Sequence, residues 1–396
     1  MKGAMLSVGF IPLVDAAPLI VAQEMGFAAE EGLALDLLPA PSWSSLRDLL
    51  AFGRVDAAHM LAPVPVASAL GLGGSGVEMC ALSVLSMNGN VIGVSNGLAA
   101  RMRNGGHGFG FDDAHAAGAA IITAGPEAGA RLRIGVPFPF SMHAELLYYW
   151  LSALGLPAPQ GVEVRTVPPP LMAEAMASGE IDAFCVGEPW GSIAVEKGVA
   201  TLLLPTRAIW QGAPEKVLAV RKGWADDEPE LSARLIRAVW KAQRWLFAPD
   251  SRALAGEILA RPEYLAMPVE VIDRALTGNL CISPGGDMRQ VPDFVTFYKN
   301  AASFPWRSQA QWIGYQLAAR MGLDRAEALR KASHVFRPDL YRAALDPAGA
   351  VIPGASSKIE GSIRVETPVA SGAGRLFLGP DSFFDGKSFD PERANL

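Results

Sequence analysis

A five-residue pattern occurs twice in this chain of 396 residues. Residues 53–57, Gly-Arg-Val-Asp-Ala, return as residues 179–183, Gly-Glu-Ile-Asp-Ala, 126 positions later. The same offset relates Gly9 to Gly135. Similarity that keeps one register across a whole unit predicts two copies of one α/β module. Two similar lobes leave a cleft between them, and a cleft is where a small molecule binds.

The composition is that of a globular protein, with 50% hydrophobic and 19% charged residues. The net charge is −6 and no long basic run occurs, so direct binding of nucleic acid is not expected. The three cysteines, Cys80, Cys185 and Cys281, are widely spaced and odd in number, which indicates neither a disulfide framework nor a zinc site. Cys185 lies in an apolar run and is interpreted as a buried thiol.

The N-terminal segment needs a choice between an export signal and a core strand. Lys2 and the apolar run Ala4–Val14 resemble a short signal peptide, but the run contains a glycine and a proline and matches Leu132–Phe138 in the second copy. We therefore interpret it as the first strand. The uncharged stretches 57–77 and 79–100 contain Pro, Gly or Asn, which disfavours membrane-spanning helices. The expected protein is soluble and cytoplasmic, with no membrane contact.

Apolar strands alternate with amphipathic helices in both copies, which predicts an α/β fold with a mainly parallel sheet in each lobe. Strand Val91–Val94 is expected to enter the second lobe and strand Val217–Val220 to leave it, so that two strands form a hinge. Lobe 1 is predicted to comprise residues 1–92 and 222–396. It includes an irregular C-terminal extension from Pro347, with strand-like pieces at Ser362–Val365 and Leu376–Leu378. Lobe 2 is predicted to comprise residues 93–221, with a surface insertion at Arg101–Gly129.

Motifs of common catalytic sites are missing from the sequence: there is no Gly-x-Ser-x-Gly, no Walker loop and no His-Glu-x-x-His. The Gly-rich segment Gly71–Gly76 is a weak candidate for a phosphate loop and is better interpreted as an ordinary flexible loop. His107 and His115 flank Asp112 and Asp113, but nothing in the sequence fixes a metal geometry there, so no metal site is expected.

Four residues are candidates for a binding site, because ligands of open α/β sheets lie beyond the carboxyl ends of the strands. Trp43 precedes a helix, Asn90 lies in a turn before the first crossing, His143 follows the helix-capping Ser141, and Lys216 precedes the returning strand. Helix N-termini and a lysine favour a small anion. Each residue also has a structural interpretation: Trp43 as a core aromatic, Asn90 as a turn residue, His143 as a polar helix start, and Lys216 as a surface lysine.

Several motifs together resemble one known family. They are Gly9-Phe-Ile-Pro-Leu-x-Asp15, Ser42-Trp43-x-x-x-Arg47-Asp48, Ala58-His59-Met-Leu-x-Pro63, Asp182-Ala-Phe-Cys-Val-Gly-Glu-Pro-Trp190 and Pro214-Glu-Lys216-Val-Leu-Ala-x-Arg221. They are similar to the nitrate- and bicarbonate-binding proteins of cyanobacterial and proteobacterial uptake systems, over roughly residues 5–345. The resemblance implies a two-lobed periplasmic-binding-protein-like fold of type II, with two mixed sheets flanked by helices and a two-strand hinge.

The resemblance also implies a ligand and its site. In the nitrate-binding members the anion is surrounded by residues that correspond here to Trp43, Asn90, His143 and Lys216. Two positions depart from the family pattern. Asn90 stands where the family usually has Gln, and Phe140-Ser-Met-His143 stands where relatives have a Gly-rich segment before the histidine. Lysine at position 216 favours nitrate over bicarbonate, and nitrite fits similarly. No metal and no cofactor are implied.

Three functions are compatible with these expectations. The favoured one is a cytoplasmic nitrate or nitrite sensor of the NasS type, which in its ligand-free form sequesters an RNA-binding antiterminator of the NasT type. The alternative is the substrate-binding component of an ABC transporter for nitrate, nitrite or bicarbonate. The third is an enzyme on the same fold, as in thiamin-precursor synthesis, which would need a reactive His or Cys cluster in the cleft. No enzymatic activity is expected.

Overall fold

Two β-sheets form the framework of the computed structural model, which describes residues 3–125 and 130–394. One sheet has six strands and the other has five. The chain builds most of the first sheet, crosses to the second, and returns to complete the first. Up to the first crossing it forms β1 (Ala4–Phe10), α1 (Ala17–Glu24), α2 (Phe27–Glu30), β2 (Leu33–Pro39), α3 (Trp43–Ala51), β3 (Ala57–Leu61), α4 (Pro63–Ala69) and β4 (Met79–Asn88).

The second lobe follows directly after β4. It contains β5 (Asn90–Ser95), α5 (Asn96–Asn104), α6 (Ala114–Thr123), β6 (Leu132–Val136), α7 (Met142–Ala153), β7 (Val162–Thr166), α8 (Met172–Ala177), β8 (Ala183–Gly187), α9 (Trp190–Glu196) and β9 (Ala200–Pro205).

The remainder of the chain completes the first lobe and is mostly helical. It contains β10 (Pro214–Arg221), α10 (Lys222–Asp227), α11 (Pro229–Phe247), α12 (Arg252–Leu259), α13 (Val269–Thr277), β11 (Asn279–Cys281), β12 (Met288–Gln290), β13 (Val295–Thr296), α14 (Arg307–Met321), α15 (Arg325–Ala332), α16 (Pro338–Leu345), β14 (Thr367–Val369) and β15 (Leu376–Leu378). Within residues 3–125 and 130–394, none of the helices has both the length and the apolar character that crossing a bilayer requires.

The five strands of the second sheet correspond in order to five strands of the first sheet, which has a sixth strand, β13, at its edge. The first sheet runs β2-β1-β3-β10-β4-β13 and the second β7-β6-β8-β5-β9. In the first, β1 is parallel to β2 and β3, whereas β10 is antiparallel to β3 and β4. In the second, β6 is parallel to β7 and β8, whereas β5 is antiparallel to β8 and β9. The strand that enters each sheet directly after a crossing, β10 or β5, therefore runs antiparallel to both of its neighbours, and the predicted two-lobed fold with two mixed sheets is confirmed.

The crossings lie at different residues from those predicted. All of β5, from Asn90, pairs within the second sheet, and all of β10, from Pro214, pairs within the first. The lobes therefore meet at Gly89 and at residues 206–213, not at the predicted boundaries 92/93 and 221/222. The two expected hinge strands lie in different sheets and do not pair with each other. Strand pairing is a long-range property, so apolar runs alone did not reveal which sheet each strand joins.

The repeated pattern has one structural role in both lobes. The Asp56 carboxylate accepts a hydrogen bond from the Ser7 backbone N–H (2.9 Å), and the Asp56 N–H donates to the Ser7 carbonyl (2.8 Å). The Asp182 carboxylate accepts from the Arg133 N–H (3.0 Å), and its own N–H donates to the Arg133 carbonyl (2.8 Å). In each lobe the aspartate thus ties the segment before the third strand to the first parallel strand.

The glycine of each pattern ends the preceding helical segment. Gly53 has φ +68° and Gly179 has φ +72°, in the left-handed region where a side chain is strained. The repeat therefore encodes the same helix stop and the same strand anchor twice.

The predicted surface insertion is instead part of the second lobe. Residues 96–123 form α5 and α6, and Phe109, Phe111 and Ile121 are buried. A Cβ at Gly118 would overlap the side chains of α7, so this glycine allows α6 to pack closely on α7. The Gly- and Ala-rich composition reflects that close packing rather than exposure. Residues 126–129 of the predicted insertion lie outside the described residues.

The C-terminal extension has little regular structure and packs on both lobes. The predicted strand piece Leu376–Leu378 forms β15, which pairs with β14, whereas Ser362–Val365 forms no strand. Phe383 stacks on Trp210, with ring centroids 4.7 Å apart. The Tyr149 hydroxyl of the second lobe donates to Asp385 (2.9 Å). The extension therefore bridges the second lobe and the second crossing.

The anchoring role of the repeated aspartates predicts a stability loss in both lobes. Asp56→Ala and Asp182→Ala should each lower the free energy of unfolding by about 1–3 kcal/mol, because a backbone N–H loses its acceptor. Asp36→Ala is the matched control: Asp36 is an exposed aspartate on β2 without a side-chain hydrogen bond in the described chain, and its loss should change stability by less than about 0.5 kcal/mol. Thermal and denaturant unfolding measure these differences, and equal effects at all three positions would contradict the assigned role.

Candidate functional site

The four predicted site residues come together at the boundary between the lobes. Trp43 and Lys216 belong to the first lobe, and Asn90 and His143 to the second. Each side chain is buried, with at most 1% of the residue exposed. The structural interpretations of Lys216 as a surface lysine and of Asn90 as a simple turn residue are therefore excluded. A polar group from each lobe faces a polar group from the other.

Two capped helices present the aromatic residues of the site. The Ser42 hydroxyl accepts from the Ser45 N–H at the start of α3 (3.2 Å), and the Ser141 hydroxyl accepts from the Ala144 N–H at the start of α7 (3.2 Å). Serine is a preferred N-cap because it satisfies a free N–H of the first turn. Trp43 and His143 consequently lie in first turns, where the helix dipole favours a negative ligand.

An irregularity in β10 brings two adjacent charged side chains together. Neighbouring residues of a regular strand point to opposite faces of the sheet. The pairing of β10 with β4 shifts register on both sides of Lys216. The ammonium of Lys216 lies 2.8 Å from the carboxylate Oε1 of Glu215, and both side chains are fully buried. The bulge therefore places the carboxylate of Glu215 beside the ammonium of Lys216, although the two residues are consecutive in one strand.

Asp15, His59 and Glu215 also belong to the site, although the sequence analysis did not select them. Asp15 Oδ2 lies 2.8 Å from Lys216 Nζ, and its Oδ1 lies 3.0 Å from His59 Nε2. Glu215 Oε1 lies 3.3 Å from His143 Nδ1. All three stand in the motifs that carry the family resemblance. The usable signal was a titratable residue inside or beside an apolar strand, as in Ala-Ala-His-Met-Leu of β3.

Burial and the neighbouring charges set the protonation states of the first-lobe groups. Burial favours a neutral Asp15, but the charge of Lys216 and contact with His59 hold the pKa of Asp15 below its usual range. Burial raises the pKa of Glu215 in spite of Lys216. Burial opposes the charge of Lys216, yet Asp15 and Glu215 raise the pKa of its ammonium. Lys216 is therefore a fixed cation and Asp15 a fixed anion.

Both histidines of the site are held neutral. Burial and the charge of Lys216 lower the pKa of His143 well below its usual value. Burial also lowers the pKa of His59, against the opposing effect of Asp15. A neutral imidazole offers one donor and one acceptor nitrogen, so His143 can donate a hydrogen bond without carrying a charge.

Several buried polar atoms of the site lack a well-aligned hydrogen-bond partner within the described chain. They include Trp43 Nε1, His143 Nε2 and the amide atoms of Asn90. A buried donor left unsatisfied costs about 1–3 kcal/mol. The Lys216 ammonium also lies 5.4 Å from the centre of the Trp43 ring. A small ligand rich in acceptor atoms would satisfy donors from both lobes at once.

The site holds no activated nucleophile among the described residues. Burial raises the pKa of the nearby Cys185 thiol well above its usual value, which keeps it protonated and unreactive. The chemistry of these groups fits reversible binding of a small polar ligand.

The lobes are closed over this cluster. The Val14 N–H donates to the Glu188 carbonyl (3.0 Å), and the Trp190 indole donates to the Pro12 carbonyl (3.1 Å). Glu145 of α7 pairs with Arg320 of α14 across the same boundary. The near-zero exposure of the cluster thus depends on these contacts between the lobes.

The two weaker sequence candidates have structural roles instead. His107 packs against Phe109 and His115 against Phe384, with ring centroids 4.8 and 4.9 Å apart. No group of three or more His, Cys, Asp or Glu side chains in the described ranges is arranged to hold a metal ion. The segment Gly71–Gly76 is a loop between α4 and β4, whose Gly73 carbonyl accepts from Arg47 (3.0 Å).

Comparisons with known proteins agree with this fold. The model of the NMT1-like family matches residues 2–260. The nitrate/nitrite binding protein NrtA of Synechococcus elongatus is 31% identical over 399 residues, which cover 98% of this chain and 84% of that protein. The bicarbonate-binding protein CmpA of the same species is 28% identical and covered to 84%. The nitrate import ATP-binding protein NrtC of Synechocystis is 33% identical over 340 residues, and the chain spans only 49% of its length.

A solved structure shows the same architecture over the whole chain. The periplasmic nitrate-binding protein NrtA from Synechocystis superposes with a TM-score of 0.83 at 28% sequence identity, covering 99% of this chain and 97% of that one. The match of both lobes, the sequence identity across nearly the full length and the family model lead to one conclusion. The chain belongs to the NMT1-like family and is a close relative of its nitrate- and bicarbonate-binding proteins.

Proposed function

We propose that this protein binds nitrate or nitrite in the closed cleft and serves as the substrate-binding component of an ABC-type import system. Trp43, Asn90, His143 and Lys216 are the proposed ligand-binding residues. The observation that carries the proposal is the buried Lys216 ammonium, which lies among buried donors from both lobes that lack a well-aligned partner within the described chain. The names of the relatives, nitrate/nitrite binding protein and nitrate import protein, support the same ligand.

The chemistry of the donors favours nitrate and nitrite over bicarbonate. Nitrate is flat, carries one negative charge and offers acceptor atoms alone. The Trp43 indole is a donor only, and the Lys216 ammonium has three donors and no acceptor. Bicarbonate carries an O–H donor as well, and it is the natural comparison ligand because CmpA is also a relative.

The cytoplasmic sensor of the NasS type, expected from the sequence, uses the same pocket and stays a prediction. In that function the ligand-free form sequesters a NasT-type antiterminator, and in an importer the ligand-bound form engages a membrane permease. Either way the partner prefers one of two lobe arrangements, and the anion shifts the balance between them. The import function is favoured because two relatives are named for nitrate import and another for bicarbonate transport.

The choice of partner is tested by copurification. We expect the protein, coexpressed with a nitrate permease of the ABC type, to be retained on it in the presence of nitrate. A stable complex with a NasT-type antiterminator that dissociates when nitrate is added would instead support the sensor and a cytoplasmic location.

Removal of the buried cation should abolish anion binding. Lys216→Ala is expected to weaken nitrate binding by at least about 100-fold, since a charge-assisted contact is lost and Asp15 then repels the anion. Lys222→Ala, at an exposed lysine six residues later, is the control and should bind like the parent. Calorimetry with nitrate, nitrite and bicarbonate measures the affinities. Unchanged nitrate affinity in Lys216→Ala would disprove the assigned site.

Removal of the indole donor alone should have a smaller effect that does not depend on charge. Trp43→Phe keeps a ring beside Lys216 but loses Nε1, and the expected loss is about 1.5–3 kcal/mol, or roughly 10- to 100-fold in affinity. Trp210→Phe is the matched control, because Trp210 is equally buried and its Nε1 also lacks a partner in the described chain, but it packs against the C-terminal extension. Equal losses for both variants would indicate general destabilisation.

A further inference from the structure

Two buried carboxylates share one buried ammonium in the cleft. Lys216 Nζ lies 2.8 Å from Asp15 Oδ2 and 2.8 Å from Glu215 Oε1, and none of the three residues is more than 3% exposed. With both carboxylates ionised the trio carries one net negative charge. An anion entering this state would meet two like charges within reach of a single cation, in surroundings that screen poorly.

Asp15 cannot relieve that repulsion, because its charge is held in place. Both of its oxygens face partners, Lys216 on one side and His59 on the other. Despite burial, these two contacts keep the pKa of Asp15 low. The charge of Lys216 is therefore balanced before any anion arrives.

Glu215 is the group free to change its charge. Its Oε1 contacts Lys216 and His143, whereas its Oε2 is buried without a well-aligned partner in the described chain. Burial already raises its pKa. The groups that face it from the surrounding elements are Lys216 on its own strand, Asp15 after β1 with His59 of β3 behind it, Asn90 of β5, His143 of α7 and Cys185 of β8.

Of these neighbours, Lys216 alone stabilises the ionised form of Glu215 with a full charge. Burial holds His143 and His59 neutral and keeps the Cys185 thiol protonated. Asn90 offers a dipole only. An anion bound in the pocket would therefore raise the pKa of Glu215 further and favour its protonated form.

The geometry points to Glu215 as a further ligand-binding residue, which acts in its protonated form and donates its O–H to the anion, so that the anion and a proton enter the cleft together. A neutral carboxylic acid is a donor, whereas its carboxylate is an acceptor only. Protonation of Glu215 thus removes a negative charge that would repel the anion, and the same proton makes the carboxyl group a hydrogen-bond donor. This inference rests on the proposed anion-binding function and adds a proton to its stoichiometry.

Proton uptake fixes the direction of the pH dependence. Between the pKa of Glu215 in the free protein and its higher value in the complex, binding takes up about one proton, and the dissociation constant rises about tenfold per pH unit. Below the free-state pKa, Glu215 is already protonated and the affinity is constant. Anion binding therefore weakens as the pH rises.

Calorimetry of the full chain with nitrate, from about pH 6 to about pH 9 in pairs of buffers with different ionisation heats, tests the inference. The parent should show proton uptake and a dissociation constant that rises with pH. Glu215→Gln keeps a donor and cannot ionise, so it should bind nitrate with no proton uptake and hold its affinity at high pH. Persistence of the parent's pH slope in Glu215→Gln would overturn the inference, because another group would then take up the proton.

Glu360→Gln is the matched control for buried glutamates in general. Burial raises the pKa of Glu360, but its partners are Lys358 of the C-terminal extension and Ser308 of α14, and it takes no part in the contacts between the lobes described above. This variant should retain the full pH slope. If Glu215→Gln fails to fold, calorimetry of the parent protein alone tests the inference. Nitrate binding with no proton uptake at any pH overturns the inference and leaves the proposed function intact. Absence of nitrate binding at every pH overturns the proposed function, and this inference with it.

Discussion

The ammonium of Lys216 is buried at a place where both lobes contribute polar side chains. A lone buried charge costs several kcal/mol, and breaking a buried pair typically costs about 3–5 kcal/mol. The charge therefore requires Asp15 from the segment after β1 and Glu215 from the β10 bulge. Through His59 and His143 these carboxylates also position the neighbouring strand and the opposing helix. The arrangement of the site follows from the need to compensate one cation.

The exchange of strands between the lobes explains why that cation lies at the boundary. Each sheet receives one antiparallel strand, β10 or β5, immediately after a crossing, so the first residues of β5 and β10 lie beside the connections. Asn90 begins β5, and Glu215 and Lys216 follow the first residue of β10. A change in lobe orientation would bend the chain at these same connections. The proposed ligand would therefore contact residues that adjoin the connections, and a small anion could in this way favour one arrangement of the lobes.

The sequence predicted the parts that depend on local pattern. The two copies of Gly-x-Val/Ile-Asp-Ala indicated two similar lobes because the same aspartate-to-backbone bonds occur in both. The four site residues were predicted from their positions beside helix starts and strand starts and from the family resemblance, and the structure brings them together as a buried group between the lobes. Their role in binding stays a proposal.

Long-range properties of the fold could not be predicted in this way. The sheet that each crossing strand joins depends on pairing partners far along the chain, so the boundaries were misplaced by three and eight residues. The bulge that turns Glu215 toward Lys216 has no sequence signature, and Glu215 was therefore missed. The sequence predicts a surface insertion at Arg101–Gly129 because its Gly and Ala residues are typical of a loop, and the packing of Gly118 on α7 is a contact that composition does not reveal.

The balance of charges also limits what the proposed site can accept. Among the described residues, Lys216 is the cation paired with Asp15 and Glu215, and its charge is already offset by Asp15. A monoanion needs one compensating change, the protonation of Glu215. A dianion of similar size would need a second one, and the remaining candidates are two histidines whose pKa values burial lowers. Desolvation of the second charge would then have no matching gain. The proposed site should therefore favour singly charged anions, because a second cation is missing from its described residues and not only because of the donors that are present.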